Sequence, residues 1–190
     1  MLKPDLVFVI KTAGLYCALA FGFSIIGIFL PEKVHQVNPL YSFSAEEVLG
    51  HILWGLVAGA ITISLRYFLL AGSFAILVDS DHLIGLLNIE SVSRMSHSIV
   101  FGIISFIIIM SFFGKKNYLL GATVIGGLLA HLSFDAFRGN DSKFPIFTPF
   151  YSGMIHFPHV DWIFLQVAAV AVIGFATLLT RRKTMKKTEQ

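Results

Sequence analysis

Long apolar segments separated by short polar ones form the main pattern of the chain. The first covers residues 6–30, in which Lys11 is the single charged side chain. About 20 apolar residues in a helix are enough to cross the hydrocarbon layer of a bilayer. The pattern predicts membrane helices over residues 6–30, 45–65, 68–80, 97–113, 118–137 and 162–180. The segment 68–80 is the short one, because its thirteen residues span only about 20 Å as a helix.

Polar residues indicate where these helices begin. The segment Ser44-Ala45-Glu46-Glu47 has the S-x-x-E form of a capping box. Ser96 is predicted to cap the helix over 97–113, and Asp161 to cap the last helix. Between the last two helices, residues 138–159 are predicted to be a long loop. We therefore predict an all-α fold, a polytopic transmembrane helical bundle with about five to six membrane segments.

Composition supports a membrane protein built as one domain over residues 1–190. Hydrophobic residues are 56% of the chain and charged residues 13%, with a mean hydropathy of +0.80. Soluble domains carry about 25% charged residues, so a soluble globule and a globally disordered chain are both excluded. The net charge is only +3, which gives no indication of nucleic-acid binding. The single cysteine, Cys17, excludes an intramolecular disulfide and a Cys-rich zinc site.

Basic residues predict how the bundle is oriented. The C-terminal segment 181–190 is strongly basic, and we predict that it is a cytoplasmic tail. Counting back through six segments places the N-terminus, Arg66 and the Lys115-Lys116 turn on the same side. That side then carries nine of the basic residues, and the other side carries four. We expect an integral protein of a prokaryotic plasma membrane with both termini in the cytoplasm.

The same topology collects the imidazole and carboxylate groups at the non-cytoplasmic side. The residues concerned are His35, His51, His82, His97, His131, His156, His159, Asp79, Asp81 and Asp135. His131 and Asp135 are four residues apart, so they share one face of a helix. Burying such groups in a membrane costs several kcal/mol each unless they pair or bind a metal. Their convergence therefore indicates a functional site.

Imidazole and carboxylate ligands suit zinc, or manganese or iron where carboxylates are more numerous. We predict a site for about one to three divalent ions, zinc being the first choice. Its predicted ligands are His51, Asp79, His82, His97, His131 and Asp135. Two metals that share an aspartate are an arrangement used in phosphoester cleavage. The loop residues His35, His156 and His159 are predicted to be ordinary surface histidines.

The ordered motifs resemble those of a known family, the membrane-bound metal-dependent hydrolases related to YdjM. They are His51, Asp79-Ser80-Asp81-His82, Arg94-Met95-Ser96-His97-Ser98, His131-Leu132-Ser133-Phe134-Asp135 and the closing stretch Phe144–Phe150. This match covers about residues 48–150, the predicted core of the metal site. Val78 stands where the family pattern has proline, and Ser93 stands where it has histidine. More distantly, the H-x-x-x-D helix resembles that of zinc-dependent phospholipase C-like enzymes.

The resemblance implies phosphoester hydrolysis. We expect a membrane-bound metal-dependent hydrolase that cleaves a phosphoester of a lipid or lipid-linked substrate at the non-cytoplasmic face, using metal-activated water. Asp81 is expected to be either a further ligand or the base that takes a proton from that water. Arg94 is expected to bind the substrate phosphate or the negative charge that develops during the reaction. The expected partners are the lipid bilayer and this substrate; the sequence indicates no particular protein partner.

The sequence is also compatible with two other classes of function. In a non-catalytic membrane subunit, the same residues would bind a structural metal or tie helices together, and the family histidine replaced by Ser93 keeps this alternative open. A metal or proton transporter would need further acidic or histidine groups on a path to the cytoplasmic face. Only Lys11 and Arg66 lie along that path.

Overall fold

Helices account for most of the chain in the computed structural model, which describes residues 3–29, 44–87, 89, 94–139, 141–151 and 153–188. The α-helices are α1 (Lys3–Ile28), α2 (Ala45–Gly59), α3 (Leu65–Leu77), α4 (Ile99–Phe113), α5 (Tyr118–Arg138) and α6 (Asp161–Thr188). The 3-10 helices are Ala60–Thr62, Val78–Leu87 and Met95–His97. Strands β1 (Asp141–Phe144) and β2 (Ile155–Pro158) pair as an antiparallel hairpin. The predicted all-α fold is confirmed. His35 and Ser93 lie outside the described residues.

Within that described part, four segments are long and apolar enough to cross a membrane. They are Pro4–Ile28, Leu65–Leu87, Tyr118–Arg138 and Asp161–Met185. Helix α4, with 15 residues, is apolar but shorter. The outer faces of α1 and α6 expose large apolar side chains such as Ile10 and Phe164. An apolar surface of this kind needs a lipid or protein neighbour, which agrees with a membrane protein.

The predicted helix over 45–65 is in fact two elements joined by a turn. Helix α2 ends at Gly59 and passes through a 3-10 turn to Ile63, whose φ of 53° is left-handed. The hydroxyl of Thr62 donates to the Gly59 carbonyl at 2.8 Å and accepts from the Ser64 amide at 3.2 Å. The sequence does not reveal this turn, because the turn contains no proline and its apolar, β-branched residues are also typical of a membrane helix.

The predicted short segment 68–80 is part of a longer one. Helix α3 begins at Leu65 and continues through the 3-10 helix Val78–Leu87, so the apolar segment has 23 residues. The polar Asp-Ser-Asp-His stretch does not end it, because side chains and main-chain groups of neighbouring elements contact these polar residues. The Ser80 hydroxyl, for example, donates to the Cys17 carbonyl of α1 at 3.1 Å.

The predicted N-cap of the fourth helix is also corrected. Helix α4 begins at Ile99, and Ser98, rather than Ser96, is its cap. The Ser98 hydroxyl accepts from the Phe101 amide at 3.0 Å and donates to the Met95 carbonyl at 2.7 Å. His97 therefore belongs to a separate 3-10 turn before the helix.

Two differences concern the C-terminal part. Asp161 lies within the first turn of α6, and this helix continues to Thr188 through most of the predicted tail 181–190. The predicted loop 138–159 contains the β1–β2 hairpin, where Lys143 is opposite His156. The hydroxyl of Ser142, on β1, donates to the Asp135 carbonyl at 2.8 Å, which attaches the hairpin to the end of α5.

The charged turns and the His/Asp residues lie at opposite ends of the bundle. At one end, Arg66 pairs with Asp5, the Tyr67 hydroxyl donates to Asn117 at 3.0 Å, and Lys183 lies over the Tyr118 ring. At the other end, the Ser96 amide donates to the Ser24 hydroxyl at 3.4 Å. These contacts agree with the topology predicted from the basic residues, in which Arg66 and the turn before Tyr118 share a side.

Candidate metal centre

All six predicted metal ligands converge where α2, α5 and the 3-10 helices Val78–Leu87 and Met95–His97 meet. Together with Asp81 they form what we call the His/Asp cluster, which consists of His51, Asp79, Asp81, His82, His97, His131 and Asp135. In five of these seven residues at most 6% of the surface is exposed. The two more exposed side chains are His82 and Asp135, at 13% and 15%. A concentration of charge so deeply buried requires compensation within the cluster.

His131 presents a lone pair to two carboxylates. Its Nδ1 lies 2.7 Å from the Ala75 carbonyl oxygen, which can only accept, so this nitrogen carries the proton. The neutral ring then has its lone pair on Nε2. That atom is buried without a hydrogen-bond partner among the described residues. It faces Asp79 Oδ1 at 3.6 Å and Asp135 Oδ2 at 3.4 Å. These three atoms belong to groups of side chains that could hold a metal ion.

His51 follows the same pattern from a different helix. Its Nδ1 donates to the Glu47 carbonyl at 2.9 Å, one turn earlier in α2. Its Nε2 lies 2.9 Å from Asp135 Oδ1. The ring stacks on His131 with centroids 4.1 Å apart. Both imidazoles are therefore held through Nδ1 by the main chain and present Nε2 to the carboxylates, as metal-binding histidines usually do.

His97 completes one set of ligand atoms. Its Nε2 lies 3.4 Å from Asp79 Oδ1 and 3.7 Å from Asp135 Oδ2. Ligand atoms at about 2.0–2.1 Å from a zinc ion in a tetrahedron lie about 3.3 Å from one another. The four nitrogen–oxygen distances that link His97 and His131 to the two aspartates, 3.4–3.7 Å, are close to this spacing.

Three overlapping groups of side chains in the described part of the chain could hold a metal ion. They are His51, His131 and Asp135; Asp79, His97 and His131; and Asp79, Asp81 and His82. Asp135 directs Oδ1 to His51 and Oδ2 to His97 and His131. The two oxygens of this carboxylate therefore face different histidines of the cluster.

Asp81 and His82 occupy different positions although they are adjacent in sequence. Asp81 is fully buried, with Oδ2 accepting from the Ser96 hydroxyl at 3.1 Å and Oδ1 lacking a hydrogen-bond partner among the described residues. His82 has its Nε2 3.5 Å from Asp79 Oδ1. Only His82 of these two lines the cavity that leads to the cluster.

That cavity has a volume of about 370 Å³. Its polar wall consists of Glu47, His51, Asp79, His82, Arg94, Asp135 and Arg138, and its apolar wall includes Val48, Ile76 and Phe144. The carboxylate oxygens of the cluster are thus accessible from outside. The cavity therefore combines charged and apolar surfaces.

Arg94 lies in the left-handed region at φ 47° and turns its guanidinium into the cluster. Its NH2 group contacts His97 Nε2 at 2.6 Å and Asp135 Oδ2 at 3.3 Å. Burial lowers the pKa of Arg94, but the carboxylates of Asp135, Asp81 and Asp79 more than offset this, so its pKa is raised. Burial, followed by the charge of Arg94, lowers the pKa of His97 to about 3, which keeps its imidazole neutral.

Residues outside the predicted ligand set separate into two kinds. His156 and His159 are exposed and belong to none of the three potential metal groups, and the His159 ring packs on Phe137. Arg138 lines the cavity, although it is not among the predicted site residues. The sequence spacing could have identified Arg138 as a site residue, because it follows His131 and Asp135 on the same face of α5. There it pairs with Glu47 at 3.0 Å.

Comparison of the chain with protein-family models, curated proteins and solved structures finds no match.

Proposed function

We propose that this chain is a membrane-bound metal-dependent hydrolase that cleaves a phosphoester of a lipid or lipid-linked substrate. The observation that supports the proposal most directly is the buried Nε2 of His131, which faces Asp79 and Asp135 and has no hydrogen-bond partner among the described residues. The motif order that resembles the YdjM-related hydrolases supports the same reaction. The accessible cavity beside these carboxylates also supports the proposal, because a purely structural cluster would not need one.

Zinc is the metal that we propose, because the imidazole nitrogens of three histidines and two or three carboxylates surround the site. Manganese and iron accept the same donor atoms. His131, His97, Asp79 and Asp135 would hold one ion. His51 and the second oxygen of Asp135 provide donors for another. The shared carboxylate supports a site with more than one ion.

In the proposed reaction, water adds its oxygen to phosphorus and the P–O bond to the alcohol breaks. The alcohol oxygen leaves with the bonding electrons and acquires a proton, and the phosphate retains the hydroxyl. A divalent metal supplies a lower pKa for the attacking water and neutralises charge on the phosphoryl group. His82 lines the cavity and is placed to accept the water proton. We prefer it in this role to the predicted base, Asp81, which is sealed from the cavity.

The proposed membrane placement follows from the two ends of the bundle. Arg66 and the basic end of α6 would lie on the cytoplasmic side of a prokaryotic plasma membrane, with both termini there. The His/Asp cluster would then open at headgroup depth on the opposite side. A lipid phosphoester reaches that depth without leaving the bilayer, which supports a lipid or lipid-linked substrate.

The reaction can be tested on zinc-reconstituted protein in mixed micelles with phosphatidic acid or phosphatidylcholine. We expect release of inorganic phosphate or phosphocholine, loss of this activity with a chelator, and recovery with zinc. Asp79→Asn should lower the rate by at least about 100-fold, because it removes a carboxylate shared by four imidazoles. A parent protein that binds zinc but hydrolyses neither lipid would contradict the hydrolase and support the non-catalytic subunit.

Arg94 provides a separate prediction about substrate binding. Its buried Nε has no hydrogen-bond partner among the described residues, and the side chain lines the cavity. We expect Arg94→Gln to raise KM for phosphatidic acid by about 10-fold or more, because a charge-assisted contact to the phosphate is lost. Lys116→Gln, at an exposed turn, is the control. An unchanged KM in Arg94→Gln would exclude this role.

A further inference from the structure

The position of the proton on His97 follows from its neighbours. Arginine has donors and no acceptor, so the Arg94 NH2 group at 2.6 Å must donate to Nε2 of His97. The ring proton is therefore on Nδ1. This assignment requires only the geometry of the contact.

That proton leads into a chain of buried hydrogen bonds. Nδ1 of His97 lies 3.1 Å from the Ser96 hydroxyl, and this hydroxyl lies 3.1 Å from Asp81 Oδ2. Both carboxylate oxygens of Asp81 can only accept when the group is ionised. Both contacts are hydrogen bonds when Nδ1–H donates to Ser96 and the Ser96 O–H donates to Asp81. All three residues are fully buried.

Ser96 is available for this role because Ser98 caps α4. Building on the proposed metal site, we infer that Ser96 is a positioning residue, which with Asp81 fixes the ring of His97. The Nε2 lone pair, which accepts from Arg94 in this structure, then faces Asp79 and Asp135 and would bind the metal once Arg94 gives up this contact. Asp81 acts here as the terminal acceptor of the chain. The geometry therefore gives Asp81 a positioning role, and not the predicted role of a base that takes a proton from water in the cavity.

The other two inward-facing imidazoles show why Ser96 matters. His131 and His51 are held through Nδ1 by carbonyl groups of the main chain, those of Ala75 and Glu47. Among these three rings, His97 is the one held by a side chain. Its orientation and basicity therefore depend on a group that one substitution removes. Outer hydrogen-bond partners of metal-binding histidines typically contribute about 10–100-fold to metal affinity.

Zinc affinity, measured by competition with a chromogenic chelator, tests the inference on the purified full chain. Ser96→Ala should weaken zinc binding by about 10–100-fold, and Ser96→Thr, which keeps the hydroxyl, should restore it to within about threefold. Ser105→Ala is the matched control, because Ser105 is also fully buried and its hydroxyl has no partner among the described residues. Parental zinc affinity in a folded Ser96→Ala variant would overturn the inference.

A second measurement works without metal and so separates this inference from the proposed function. Nitrogen-15 NMR of histidine-labelled, chelator-treated protein reports which ring nitrogen carries the proton. In Arg94→Ala, where Ser96 alone holds the ring, His97 should keep the proton on Nδ1. The double variant Arg94→Ala/Ser96→Ala should lose this preference. Retention of it in the double variant, or its loss in Arg94→Ala alone, would refute the positioning role whether or not the parent binds zinc.

Discussion

Replacement of His131 by alanine is expected to abolish metal binding. In the parent protein, Nε2 of His131 contributes to two of the three potential metal groups and faces both Asp79 and Asp135. Its loss breaks both of these groups, and the one that stays complete, Asp79, Asp81 and His82, includes Asp81, which does not line the cavity. Mass spectrometry of the detergent-purified parent should find at least about one equivalent of zinc, manganese or iron. The variant should retain less than about a tenth of it.

His156→Ala is the matched control for this experiment. It removes the same kind of side chain from an exposed position on β2, outside all three potential metal groups. Its metal content should equal that of the parent. Equal metal in His131→Ala and the parent would show that the ion lies elsewhere. Absence of metal from all three proteins after reconstitution with zinc would refute the metal centre and favour a cluster that only joins helices.

The ligand pairs that the sequence predicts are those that one helix places by itself. His131 and Asp135 share a face of α5 because the spacing of four residues fixes it, and Asp79 lies near His82 for the same local reason. The membrane segments are likewise a direct consequence of apolar length. The convergence of the separate His- and Asp-bearing elements could be inferred only from the predicted membrane topology. In that topology, the distribution of basic residues puts the ends that carry these side chains on one side of the membrane.

Long-range contacts explain what the sequence does not predict. The partner of His131 is a carbonyl group 56 residues earlier, at Ala75. Main-chain acceptors carry no sequence signal, so the proton position on this ring is visible only in the structure. The left-handed Ile63 is equally hidden, since isoleucine gives no turn signal. Ser96 and Ser98 are equally good N-cap candidates by residue type. Ser98 is the cap because a 3-10 turn, in which the Met95 carbonyl accepts from the Ser98 hydroxyl, precedes α4.

Helices α3 and α5 approach each other closely at Gly127, and we expect the second large effect from a substitution at this residue. A Cβ added to Gly127 would lie 2.5 Å from the Cβ of Phe74. Ordinary contacts between carbon atoms are about 3.5–4.0 Å, and a Cβ cannot rotate away from its backbone. The two helices would have to separate by about 1 Å. Ala75, which follows Phe74, would then move its carbonyl away from Nδ1 of His131.

We therefore expect Gly127→Ala to lower the free energy of unfolding by about 1–3 kcal/mol and zinc affinity by about 10-fold or more. Thermal unfolding of the chelator-treated protein and chelator competition measure the two effects separately. Gly14→Ala is the matched control, because a Cβ at Gly14 meets no atom within 4 Å. Parental zinc affinity in Gly127→Ala would show that the His131–Ala75 bond tolerates helix separation. Asp79 lies in the 3-10 helix that directly continues α3, and Asp135 lies on α5. Loss of both stability and affinity would therefore show that one glycine contact maintains the distance between the two carboxylates on which the metal centre depends.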